Sequence, residues 1–175
     1  SEGAYYNDLG VVLQGRGAYA EATRVFRAAM ALAPEVNVVR INLVRCLLAA
    51  GELAEAEREA RACVNAEPNS ETWTLLSAVQ RTQEKYDDAL YASEQALRCG
   101  PRLRGLRYNY ANALERVGRH KEALDIFEKL SKKDLDTPDL ALSFVRALYM
   151  EGHKKESEDA AAMAVEQWPG SGALQ

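Results

Sequence analysis

Residues 3–36 read GAYYNDLGVVLQGRGAYAEATRVFRAAMALAPEV, and near-copies of this 34-residue pattern follow one another along almost the whole chain. Each copy holds a helix-forming stretch, a short turn with glycine or polar residues, and a second helix-forming stretch. Four of the five copies end in a proline, at intervals of 34, 33 and 68 residues: Pro34, Pro68, Pro101 and Pro169. A fixed period of this length, with one helix pair per copy, predicts an all-α solenoid. Such a fold favours a binding surface over a catalytic pocket.

Small and large apolar residues have separate roles within each copy. In the first copy, one face of the first helix carries Tyr6, Leu9, Gly10 and Leu13. The inward stripe of the second helix carries Tyr19, Ala22, Phe26 and Ala29. Two helices approach closely only where side chains are short, so Gly10 and Ala22 mark the contact and the large residues fill the space around it.

The same periodicity gives a map of ten helices. We expect the first helices of the pairs near residues 3–15, 37–50, 70–82, 104–117 and 138–151. The second helices are expected near 19–33, 53–66, 86–99, 120–132 and 154–168.

Over about residues 3–170 this pattern resembles the tetratricopeptide repeat (TPR) family. The resemblance implies five antiparallel helix hairpins that stack into a right-handed α-solenoid, the TPR superhelix, with the first helices lining a concave groove. We expect one array over residues 1–175, with repeats at about 3–36, 37–69, 70–103, 104–137 and 138–170, and residues 171–175 opening a further, truncated helix. Three residues depart from the pattern: Gln80 and Ser93 replace large apolar residues in the third copy, and Ser157 replaces a small alanine in the fifth.

Composition narrows the class of protein. The 175 residues are 47% hydrophobic and 27% charged, with a net charge of −4, which gives no bulk attraction to nucleic acid or to an anionic membrane. No run of 18 apolar residues predicts a membrane span. The three cysteines, Cys46, Cys63 and Cys99, lack C-x-x-C spacing, so we expect reduced thiols and a cytoplasmic location. A periplasmic location stays open because the original N-terminus is not visible.

Candidate ligand contacts follow from the resemblance, because TPR proteins bind ligands along the groove through outward-pointing residues of the first helices. In this chain those residues are Asn7, Asp8, Asn42, Arg45, Arg81, Tyr108, Asn109, Asn112, Arg116, Arg146 and Tyr149.

Asn42 and Asn109 occupy the same repeat position, although asparagine is unfavourable inside a helix. A primary amide offers one acceptor and two donors, which suits an extended peptide backbone, and asparagines at this position resemble those of peptide-binding members of the family. The alternative is a solvated groove face without a ligand. The arginines add cationic points suited to carboxylates, but acidic neighbours offset them. The family's carboxylate clamp for chaperone C-termini needs lysine where this chain has Asn7 and Glu71, which disfavours such tails.

No cofactor, metal site or catalytic residue is predicted. His120 and His153 each lie in a turn between paired helices, one repeat apart, without a cysteine or carboxylate cluster at ligand spacing. No phosphate-binding glycine loop and no nucleophile with an evident base is present.

The sequence therefore predicts a non-catalytic module that binds an extended peptide or partner segment in its groove, without nucleic acid and without membrane insertion. Two alternatives stay open. The chain is either the substrate-recruiting TPR part of a larger enzyme, of the sulfotransferase or glycosyltransferase type, or a scaffold that self-associates. Self-association is expected through the C-terminal end, where no polar capping element is visible after Pro169.

Overall fold

The computed structural model describes residues 2–129 and 137–171. Within these ranges the chain forms ten α-helices and no strand. The helices are α1 (Glu2–Gly15), α2 (Tyr19–Leu32), α3 (Asn37–Ala50), α4 (Leu53–Ala66), α5 (Ser70–Thr82), α6 (Tyr86–Cys99), α7 (Arg104–Arg116), α8 (His120–Phe127), α9 (Pro138–Met150) and α10 (Lys154–Gln167).

The predicted helix map agrees closely with these bounds except at the end of α8. We expected that helix to reach residue 132, but it ends at Phe127. Glu128 still donates its backbone N–H to the Leu124 carbonyl at 2.9 Å, whereas Lys129 donates to Ile126 at 3.2 Å. The change from an i−4 to an i−3 acceptor tightens the backbone and ends the α-helix. Residues 130–132 lie outside the described ranges, as do 172–175 of the predicted further helix.

Contacts divide the chain into two compact units, unit 1 (Ser1–Gly100) and unit 2 (Pro101–Gln175). Unit 1 holds α1 to α6 and unit 2 holds α7 to α10. The single array over residues 1–175 stays a prediction.

Helix contacts give each unit an inner and an outer side. In unit 1, α1 packs on α2, α3 on α4 and α5 on α6, and α2 also packs on α3 and α4 on α5. The first helices touch one another, α1 with α3 and α3 with α5, whereas the described parts of α2, α4 and α6 do not. In unit 2, α7 contacts α9 in the same way. The first helices therefore lie on the inner side of each unit, and the second helices spread apart on the outer side.

The closest helix approach in the first hairpin involves Gly10. A Cβ atom at this position would lie 2.6 Å from the Phe26 ring, which is fully buried in the core of unit 1.

The third hairpin has two serines, Ser77 and Ser93, in place of this small–large pair. Ser77 donates to the Ala89 carbonyl at 2.9 Å, and the hydroxyl oxygens of Ser77 and Ser93 lie 2.7 Å apart. Ser77 uses its proton on the carbonyl, so Ser93 is the donor to Ser77. In the fifth hairpin, Ser157 donates to the Val145 carbonyl at 3.0 Å.

The turn inside each hairpin places one residue at positive φ. Four of these are glycines, Gly17, Gly51, Gly118 and Gly152, and the third hairpin has Glu84 at φ 61°. A side chain in this left-handed region is unfavourable because its Cβ crowds the backbone.

We predict that Gly10→Ala destabilises the protein by about 1–3 kcal/mol, because the added methyl group forces the Phe26 ring out of its packed position. Urea unfolding followed by circular dichroism measures this change. Gly15→Ala is the matched control, since a Cβ atom there meets nothing within 4 Å. Equal stabilities for the two variants would show that the Phe26 contact does not limit this position.

We predict that Glu84→Gly stabilises the protein by about 0.5–1 kcal/mol. Relief of the left-handed strain, about 1–2 kcal/mol, exceeds the extra entropy that glycine adds to the unfolded chain, about 0.5–1 kcal/mol. Thermal unfolding of Glu84→Gly and Glu84→Ala tests the cause, because alanine removes the charge and keeps the strain. A gain of the same size in Glu84→Ala would assign the effect to charge rather than to the backbone.

Candidate peptide-binding faces

The inner face of unit 1 is formed by α1, α3 and α5 and carries five of the predicted contact residues. Asn42 donates from Nδ2 to Asn7 Oδ1 at 3.3 Å, which joins α3 to α1. Asn7 in turn donates from Nδ2 to Asp8 Oδ1 at 3.4 Å. Asn7 and Asn42 are half-buried and Asp8 is exposed. The structure therefore gathers these three polar side chains into one patch at the start of the unit, named here the amide patch.

Arg45 and Arg81 lie further along the same face. Arg45 Nη2 lies 2.6 Å from Glu71 Oε1 on α5, and the two side chains are 46% and 55% exposed. Ion pairs this open to solvent contribute little to stability, so the pair can exchange partners at low cost. Arg81 is exposed and forms no ion pair with the part of the chain that the structure describes.

The inner face of unit 2, formed by α7 and α9, has a tighter polar contact. Asn112 is buried and donates from Nδ2 to Ser143 Oγ at 2.8 Å. Arg146 Nη2 lies 3.1 Å from Glu115 Oε1, whose side chain is only 1% exposed, while that of Arg146 is 42% exposed. A buried carboxylate depends on such a partner, because removal from water penalises its charge.

The remaining predicted residues of unit 2 differ in accessibility. Asn109, Arg116 and Tyr149 are exposed, with Tyr149 at 59%. Tyr108 is 7% exposed and Asn112 also 7%, so both side chains lie beneath the surface of this face. The repeat position that Asn42 and Asn109 share thus has two environments, one hydrogen-bonded and half-buried, the other open to solvent.

Sequence reasoning did not anticipate which polar side chains bond to each other. The partners Asn42 and Asn7, and likewise Asn112 and Ser143, are separated by 35 and 31 residues. A separation of about one repeat is the signal that could have linked them, because equivalent positions of successive first helices face one another in a stack.

A recess at the last hairpin lies between α9 and α10 and has a volume of about 220 Å³. Its lining includes Phe144, Leu148, Met163 and Trp168, together with the carboxylates of Glu156 and Asp159. The predicted self-association surface falls on this hairpin and stays a prediction.

The three cysteine side chains differ in burial. Cys46 and Cys63 are buried, Cys99 is exposed, and burial raises the pKa of the Cys63 thiol to about 11, which keeps it protonated at neutral pH. Among the described residues, no three His, Cys, Asp or Glu side chains are grouped to hold a metal ion. No helix within residues 2–129 and 137–171 has the length and apolar character of a membrane span.

Comparison with known proteins gives two matches to the tetratricopeptide repeat, at residues 13–79 and 105–129, which together cover just over half of the chain. Protein O-mannosyl-transferase TMTC1 of Homo sapiens is 35% identical over 95 residues, which is 54% of this chain. The chain spans only 11% of the length of that relative.

Solved structures share the fold. The crystal structure of MamA has a TM-score of 0.74 at 16% identity over 95% of this chain and 92% of that chain. YrrB, described as a TPR protein with an unusual peptide-binding site, has a TM-score of 0.74 at 15% identity over 97% and 88% of the two chains. A thermophilic TPR protein of Thermus thermophilus, TTC0263, has a TM-score of 0.70 at 22% identity over 98% and 94%. The predicted all-α helical-repeat solenoid is confirmed.

We predict that Arg146→Ala destabilises the protein by about 1–3 kcal/mol, because it leaves the buried Glu115 carboxylate without its charged partner. Arg45→Ala is the matched control and should cost less than about 1 kcal/mol, since both members of its ion pair are exposed. Urea unfolding of the two variants gives the comparison. Equal losses would contradict the distinction drawn between the two ion pairs.

Proposed function

Because this chain belongs to the tetratricopeptide repeat family, we propose that it is a protein-interaction module whose inner helix faces bind an extended peptide or a loop of a partner protein. Binding of proteins is typical of this family. We infer the kind of ligand, a peptide, and its location, the inner faces, from the polar groups on the inner side of each unit.

The amide patch of unit 1 is the observation that carries the proposal. Asn42 uses one of its two N–H donors on Asn7. The second donor and the carbonyl oxygen of Asn42 form no hydrogen bond with the described residues. The contact with Asn7 fixes the orientation of the Asn42 amide. Its second N–H and its carbonyl oxygen are therefore available to a ligand as neighbouring donor and acceptor. Extended peptide backbone offers the complementary acceptor and donor, which makes main-chain pairing independent of the peptide's side chains.

The charges along the same face suit a ligand of mixed polarity. Arg45 can turn from Glu71 toward a ligand carboxylate, because the ion pair that it leaves is solvent-exposed. On unit 2, Asn109 and Tyr149 offer an exposed amide and an exposed aromatic ring. The peptide-binding site described for YrrB supports the proposal by analogy of fold.

A second candidate function is favoured by the relative TMTC1. A 35% identical segment within a protein O-mannosyl-transferase fits the hypothesis that this array recruits substrates for an enzyme. The two functions agree on what the inner faces do and differ in what is covalently joined to them. The full-length reading frame of the gene distinguishes them, since only the second requires a catalytic domain in the same chain.

A peptide-binding test begins with the selection of binders to the parent protein from a random peptide library. We predict that Asn42→Ala weakens a selected peptide bound to unit 1 by about three- to ten-fold, the effect of losing one or two hydrogen bonds. Asn109→Ala makes the same test for unit 2, and fluorescence anisotropy measures both affinities.

Gln95→Ala is the matched control, because this half-buried amide side chain lies on the outer helix α6. Circular dichroism should stay unchanged in all three variants. Full binding by Asn42→Ala, by Asn109→Ala and by the double variant would overturn the proposal, as would a library that yields no binder.

A further inference from the structure

A recess on the outer side of unit 1 separates α4 from α6. The two helices do not touch, and α5 closes the space beneath them. The recess, named here the outer crevice, is lined by Arg61 of α4, by Trp73, Leu76 and Gln80 of α5, and by Asp88 and Tyr91 of α6, among others. Its volume of about 220 Å³ far exceeds the roughly 10–15 Å³ that one water molecule requires. It is therefore large enough to admit a side chain.

The floor of the outer crevice contains Gln80, one of the two residues of the third copy that depart from the repeat pattern. Gln80 stands where the other four copies have Leu13, Leu47, Leu114 and Leu148. It is 3% exposed, and its Oε1 atom forms no hydrogen bond with the described residues. Ser93, the other departure in this copy, is satisfied by Ser77. A buried amide oxygen without a donor is unfavourable, so Gln80 lowers stability unless something outside the hairpin binds to it.

Aromatic rings form the wall of the crevice. The Trp73 and Tyr91 rings meet edge to face, with centroids 5.9 Å apart at 82°. Tyr91 is 57% exposed, so part of its ring is open to solvent. The π-face of an exposed aromatic ring attracts a cation.

The charges around the crevice leave one carboxylate without a partner. Arg61 donates two hydrogen bonds to Glu57 Oε1, from Nε at 3.1 Å and from Nη2 at 2.7 Å. Lys85 and Arg61 together keep the pKa of Glu57 below its usual value, so this carboxylate stays ionised. Asp88 lines the crevice and forms no hydrogen bond or ion pair with the described residues. The lining therefore offers a ligand one carboxylate, Asp88, that no described side chain already holds.

We propose that the outer crevice of unit 1 is a second binding site, which takes the guanidinium group of an arginine in a partner protein. The flat cation stacks on the aromatic wall, donates to the Asp88 carboxylate, and donates to the Gln80 amide oxygen. Rotation of the terminal amide, a soft torsion, turns that oxygen toward the ligand. Arginine suits the site better than lysine because its planar fork carries five donors and stacks on rings. This site opens on the outer side of unit 1, between α4 and α6, and does not depend on the inner faces.

The test uses N-acetyl-arginine N-methylamide as the probe and the citrulline analogue, which has the same shape without the charge. The chain has two tryptophans, so a Trp168→Phe background leaves Trp73 as its only indole. Its indole N–H signal is followed by NMR as each compound is added. We expect a saturable shift with the arginine compound and about ten-fold weaker binding of the citrulline compound, the effect of losing a charge-assisted hydrogen bond.

Two variants assign the contacts. Asp88→Asn should weaken binding about ten-fold, whereas Asp87→Asn, a change in the same turn outside the crevice, should not alter it. Gln80→Leu restores the residue of the other copies, so it should raise the melting temperature and weaken binding together. No saturable shift at tens of millimolar, equal binding of the citrulline compound, or equal effects of Asp87→Asn and Asp88→Asn would each overturn the proposal. Asn42→Ala should leave this binding unchanged, which separates it from peptide binding on the inner faces.

Discussion

Close approach of the two helices within each hairpin is the constraint on which the rest of this structure depends. In the first hairpin it is set by Gly10, where even a methyl group would meet the Phe26 ring at 2.6 Å. A hairpin closed in this way still has apolar residues on its flanks, and the next hairpin covers them. The first helices are then brought into contact with one another, while the second helices stay apart. The inner faces and the outer crevice both result from this geometry.

Polar groups on the inner faces have two uses that compete. Asn112 and Glu115 are buried, and their bonds to Ser143 and Arg146 hold α7 against α9. Asn42 keeps one N–H donor and its carbonyl oxygen uncommitted, and the Arg45–Glu71 pair is open to water. A buried polar contact is expensive to break, whereas an exposed one exchanges readily. The inner face of unit 1 therefore leaves more of its polar groups available for the proposed ligand, and unit 2 uses buried ones to hold α7 against α9.

Much of the fold could be read from particular residues. The apolar period placed nearly every helix, because burial of one face per helix is a local property of the sequence. The end of α8 was misplaced, since a switch from i−4 to i−3 bonding at Lys129 has no signature in composition. Glu84 could have been predicted from the repeat. The glycines at the equivalent positions of the other copies indicate a left-handed backbone there, although glutamate itself does not.

For the candidate sites, too, some features follow from the order of residues along the chain and others only from helix packing. Spacing along one chain was enough to predict the repeat, the helix pairs and the resemblance to the family. The first helices as carriers of groove residues followed from that resemblance and stay a prediction. The packing of the helices shows that Asn42 bonds to Asn7, that Tyr108 is buried, and that the Gln80 amide oxygen has no hydrogen-bond donor beneath the outer crevice. Those outcomes depend on how successive hairpins stack. The angle between successive hairpins decides which side chains about one repeat apart come into contact. The order of residue types along the chain does not specify that angle.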